Sequence, residues 1–173
     1  MWSSEGALTR GTQLAGPSNM ESRAKLAGHP VHQMLVAFPL GAFGMAVGSD
    51  ALRAGRRRSA YEFTAARAID FGLVSAALAA PFGLVDWLSI PSGTRAKRVG
   101  LWHALGNVAL LGLFAGSRWL RARNDRRAPL LAGAGMLLGG VTAWLGGELI
   151  NRHGVGVSDA MGLQQPSSLA RQH

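Results

Sequence analysis

The sequence contains no cysteine. That excludes disulfides, thiolate metal sites, iron–sulfur ligation by this chain and a cysteine nucleophile. Charge is also scarce: 16% of residues are Asp, Glu, Lys or Arg, against about 25% in an average soluble domain. Acidic residues number nine and tyrosine occurs once. There is no phosphate loop, no HExxH, no dinucleotide fingerprint and no nucleophile–base pair. Ser75 and Ser89 have no base nearby in sequence, which argues against a hydrolase.

What remains is mostly apolar. Hydrophobic residues make up 48% of the chain and there are 24 glycines. The charges are clustered, leaving four apolar runs at about 31–52, 68–88, 99–120 and 128–150. Each is roughly 20 residues, the length a helix needs to cross a hydrocarbon core of about 30 Å. Helices of a soluble bundle would carry Lys and Glu at helical spacing along one face, and these runs show none. The expected fold is all-α: a bundle of four transmembrane helices in a lipid bilayer, occupying residues 28–157. Residues 1–27 read as a disordered polar tail rather than a cleavable signal peptide, because no apolar core follows an early basic cluster. Residues 158–173 read as a flexible tail. Pro30 suits a helix start, and Pro39 predicts a kink in the first span.

The formal charge is +9. Its placement points to a membrane rather than to nucleic acid. Segments 53–67 and 118–127 hold ten arginines between apolar runs, as cytoplasmic loops of a membrane protein would. Both termini then share the extracytoplasmic side. Asp50 and Asp70, at the arginine end, are expected to form salt bridges to Arg53 or Arg67.

Because successive spans alternate direction, His29, His32, Asp86, His103, Glu148 and His153 all fall at the end opposite the arginine loops. His103 and Asn107 stand one helical turn apart on one face. Imidazole ligates haem iron or copper through one nitrogen while a second group holds the other. The site expected from these residues is a metal or haem centre ligated by some of His29, His32, His103 and His153, with Asp86, Asn107 and Glu148 as supporting groups. One or two haem b groups are the first expectation, copper the second, and no cofactor the third. The functions expected are, first, a membrane redox or electron-transfer protein holding haem b or copper; second, a cofactor-free scaffold or assembly subunit; and third, a proton or metal-ion transporter. Gly41, Gly44, Gly48, Gly112, Gly116, Gly135, Gly139 and Gly140 offer either room for a flat macrocycle or close helix packing.

The segments GHPVHQMLVAFPLG (28–41), GLVDWLSIP (83–91), WHALGN (102–107) and GGELINRHGVGV (146–157) resemble a family of small four-helix bacterial membrane proteins known as a domain of unknown function. Its members open with HPxHPxLVxFPxG and close with HGVGV. Gln33 stands where the family usually has a second proline. Some relatives accompany Rieske-type iron–sulfur modules. The resemblance therefore implies membrane redox chemistry as context, with a Rieske-type or cytochrome protein as partner. A homo-oligomer is a further expectation.

Overall fold

The structure, a computed structural model, describes residues 22–53 and 58–156. The four apolar runs become four helices long and apolar enough to cross a membrane. The first span, Val31–Leu52, is made of α1 (Val31–Leu35) and α2 (Ala37–Leu52). The kink expected from Pro39 takes the form of a break at Val36. Pro39 has no N–H for the carbonyl of Leu35, and its ring crowds that carbonyl. The chain stays continuous through Val36 N–H to His32 O (3.1 Å) and Leu40 N–H to Val36 O (3.3 Å).

The second helix, α3 (Arg58–Ser89), holds Pro81 without ending there. It begins ten residues before the apolar run at 68, so part of the expected arginine loop is helical. α4 (Arg95–Ala122) is started by Thr94, whose hydroxyl accepts from Lys97 N–H at 3.1 Å. α5 (Ala128–Asn151) has its proline in the first turn, where a missing N–H costs nothing. Ahead of α1, β1 (Lys25–Leu26) and β2 (His29–Pro30) pair antiparallel. The turn between them uses positive φ at Ala27 and Gly28. Within the expected tail, residues 22–27 are thus placed. Residues 1–21 and 157–173, with the rest of the two expected tails, lie outside the described residues.

Packing follows a square. α2 lies against α3, α3 against α4, α4 against α5, and α5 against α2. α2 and α4 therefore occupy one diagonal, and they run the same way: Phe43 meets Phe114 midway along, and Asp50 meets Arg121 near both C-terminal ends. The two phenylalanine rings stack at 3.9 Å with an interplanar angle of 11°. They are 4% and 0% exposed and centre a core completed by Ile69, Leu110 and four alanines, Ala46, Ala65, Ala68 and Ala132. Glycine makes room for them. A Cβ on Gly72 would lie 2.5 Å from the Phe43 ring, and one on Gly135 would lie 2.9 Å from Phe114.

The outer surface is apolar. Only 17–28% of the most apolar stretch of each helix is buried inside the protein. Phe63, Phe71, Leu78, Trp102, Val108, Leu130, Leu137 and Trp144 are among the exposed side chains. No soluble monomer carries such a surface. The protein is a membrane-embedded four-helix bundle, and lipid covers this face.

Charge gathers at the arginine end. Asp70 binds Arg118 at 2.6 Å and Arg67 at 3.3 Å, so the expected Arg67 pair is present. Asp50, expected on Arg53 or Arg67, instead pairs with Arg121. Asp50 points into the diagonal between α2 and α4, whereas Arg53 is already the residue that ends α2.

A candidate histidine site at one end of the bundle

The turn between α3 and α4 is clamped by Trp87. Its indole N–H donates to Lys97 O at 3.2 Å, and Lys97 Nζ lies 3.9 Å over the ring. This short connection sets α3 and α4 antiparallel. Five contacts then define the end opposite the arginines: His32 with Ala79, His103 with Thr142, Ser22 with Asp86, Arg95 with Glu148, and Gln33 with Gly156. All six residues singled out for this end lie there, as the alternation of spans requires.

Two histidines share one arrangement. His32 leans on α3 and donates its Nδ1–H to the carbonyl of Ala79 at 3.0 Å. A Cβ on Gly83, one turn further, would lie 2.7 Å from the ring. His103 leans on α5 and donates Nδ1–H to the carbonyl of Thr142 at 2.8 Å. A Cβ on Gly146, again one turn further, would lie 3.1 Å from that ring. A carbonyl can only accept, so the proton must sit on Nδ1 in both. Nε2 is then the nitrogen with the free electron pair.

The pair differs at Nε2. Asn107 places its amide nitrogen 3.1 Å from His103 Nε2 and 2.9 Å from His103 O. Among the described residues His32 Nε2 has no hydrogen-bond partner, and it is not among the buried unpartnered atoms.

The other expected residues sit apart from this arrangement. His29 is exposed on β2. His153 follows α5, and its Nε2 is buried without a partner. Asp86 accepts from Ser22 Oγ (2.8 Å) and Arg23 N–H (3.0 Å), tying the N-terminal segment to α3. Glu148, buried, pairs with Arg95 (3.4 Å) and Arg152 (3.6 Å). The groups that hold the histidines are instead backbone carbonyls, and only Asn107 of the expected supporting residues touches an imidazole. Sequence alone offers no mark of such carbonyls. The one available signal is a glycine placed to admit a ring, as at Gly83 and Gly146. Among the described residues no three His, Asp or Glu form a group that would hold a metal ion.

Of the glycines that offered room for a macrocycle, Gly116, Gly135 and Gly139 pack on Leu131, Phe114 and Leu110. Gly41, Gly44, Gly48, Gly112 and Gly140 meet nothing within 4 Å of an added Cβ.

Fold and site together define a four-helix integral membrane protein with paired, backbone-held histidines at one end. Over residues 28–159 the sequence matches the family described as predicted membrane protein, DUF2231, and the chain belongs to that family. No curated protein and no solved structure matches it.

Proposed function

We propose that the chain is a small membrane redox protein that holds a low-spin haem b through His32 and His103. The observation that carries this reading is the shared arrangement of the two imidazoles. Each has its Nδ1 proton anchored to a carbonyl of the adjoining helix. This fixes the tautomer and makes Nε2 the ligating atom, the support a metal-bound histidine requires. The donor chemistry fits the group. Two protein ligands suffice for haem, whose porphyrin brings four nitrogens of its own, whereas a copper ion held by protein alone needs a larger set. That favours haem over copper. Bound there, the group would supply one-electron exchange. The residues' own work is to orient: Ala79 and Thr142 set the rings, Gly83 and Gly146 let them approach the helices, and Phe43 with Phe114 closes the bundle beneath them. On the positive-inside rule this end faces away from the cytoplasm, where a Rieske-type or cytochrome partner would dock.

A second reading rests on Asn107. Because it already occupies His103 Nε2, both nitrogens of His103 are satisfied within the protein, as in a cofactor-free scaffold whose histidines pin helices together.

A visible spectrum of the detergent-purified protein from a haem-replete host, as isolated and after dithionite, with metal analysis, separates the two. A sharp Soret band with reduced α and β bands, lost in both His32→Ala and His103→Ala, is the expected result. A colourless, metal-free, folded protein overturns the haem reading in favour of the scaffold.

A further inference from the structure

The two halves of the bundle superpose in sequence numbering. His32 and His103, Leu40 and Leu111, Gly41 and Gly112, Phe43 and Phe114, and Asp50 and Arg121 are each 71 residues apart. In the returning helices Ala65 and Ala128, Gly72 and Gly135, Ala79 and Thr142, and Gly83 and Gly146 are each 63 apart. The matched histidines, phenylalanines and glycines 72, 83, 135 and 146 also make matching contacts. Each phenylalanine sits against the glycine of its own hairpin, Phe43 on Gly72 and Phe114 on Gly135. Each histidine bonds the carbonyl, and leans on the glycine, at matching positions. The phenylalanine stack and the Asp50–Arg121 pair join matching positions across the diagonal. The helix contacts have the same symmetry: α2 on α3 matches α4 on α5, and α2 on α5 matches α4 on α3. The bundle is thus two copies of one helical hairpin about a pseudo-two-fold axis parallel to the helices, an arrangement known for parallel repeats.

The symmetry exposes one deviation at the histidines. Asn107, which occupies His103 Nε2, stands 71 residues after Val36. Val36 has no polar side chain, and it is the residue at which α1 gives way to α2. We infer that the two equivalent histidines have diverged in role: His32 is the open ligand, His103 the guarded one, and Asn107 is the positioning residue that guards it. Asn107 holds the His103 electron pair until a ligand competes for it, whereas nothing described in the first hairpin does the same for His32. This inference rests on the proposed ligand pair for its functional meaning, but its asymmetry is testable without any metal.

The test is carbethoxylation of the full-length protein in detergent by diethyl pyrocarbonate, which attacks the unprotonated imidazole nitrogen. Modification at each histidine is followed in time by peptide mass spectrometry. In the parent protein His32 should react several-fold faster than His103. Asn107→Val should raise the His103 rate toward that of His32, and Asn107→Leu serves if the valine variant does not fold. Val36→Asn should slow His32. Equal rates in the parent, or a His103 rate unmoved by a folded Asn107 variant, overturns the inference. A haem-free protein that still shows the asymmetry sinks only the cofactor reading, and a haem-binding protein with equal rates sinks only this one.

Discussion

The Asp50–Arg121 pair is the sharpest test of how the two hairpins are joined. Both side chains are nearly withdrawn from solvent, 7% and 9% exposed. They belong to diagonal helices, so no neighbouring turn can replace either partner. Removing one charge leaves the other buried, which costs about 3–5 kcal/mol in comparable sites. The two halves of the pair should not be equal. An arginine cannot shed its proton, so Asp50→Ala should carry the full cost. Arg121→Met leaves a carboxyl that can take up a proton, so its cost should fall below that. The pseudo-two-fold axis makes a stronger prediction still. If positions 50 and 121 are equivalent, the charges can trade places. Asp50→Arg combined with Arg121→Asp should recover most of the loss, ending within about 1–2 kcal/mol of the parent, the residue being imperfect repacking. Unfolding in mixed micelles, titrated with SDS and followed by tryptophan fluorescence, measures all four proteins. A swap no more stable than Asp50→Ala would refute the equivalence. A cost under about 1 kcal/mol for Asp50→Ala would refute the claim that the pair is shielded, since that is what an exposed pair contributes.

Other consequences are simpler to read. Gly72→Ala and Gly135→Ala should each destabilise by about 1–3 kcal/mol through overpacking on the phenylalanine rings, while Gly41→Ala and Gly112→Ala, which meet open space, should be neutral or slightly stabilising in the same titration. Phe43→Ala and Phe114→Ala should each cost about 3–5 kcal/mol, and the double variant should cost less than their sum by the stacking energy, about 0.5–1.5 kcal/mol; strict additivity would deny the stack. His103→Ala should cost about 1–3 kcal/mol by removing the hydrogen bonds that its ring makes to Thr142 O and to Asn107, and an unchanged midpoint would show that these bonds contribute nothing. Because the chain has no cysteine, Ser59→Cys and Ser92→Cys, both exposed and at opposite ends, report orientation cleanly: an impermeant maleimide added to intact cells should label Ser92→Cys alone if the positive-inside rule holds, and the reverse pattern would invert the proposed topology.

The spans were legible in the sequence because a helix that must cross lipid cannot hide its composition. The shared end of the histidines followed from alternation alone, and the His103–Asn107 contact from helical spacing. Other features were not legible. The first turns of α3, around Arg58–Tyr61, are polar because they stand clear of the apolar run, so the pattern that marks a span says nothing about them. Ala79 and Thr142 hold the histidines through backbone atoms that every residue possesses. Asp50 had a sequence neighbour, Arg53, that looked like its partner, whereas burial selected Arg121 from a diagonal helix. The repeat is faint in the sequence because few positions remain identical. What persists is the geometry of contact, a glycine facing a ring or a carbonyl facing an imidazole, and a change such as Ala79 to Thr142 leaves that geometry intact.

The arginine-rich segments acquire a different meaning once the hairpin is the unit. A segment that crosses the membrane twice returns to the side it left, so joining two of them end to end needs no additional crossing and no ancestor able to insert in both directions. Each half of the sequence also keeps its own cluster of arginines between its two apolar runs, 53–67 in the first and 118–127 in the second. On the positive-inside rule, each half then carries its own orientation signal, and the second need not inherit its direction from the first.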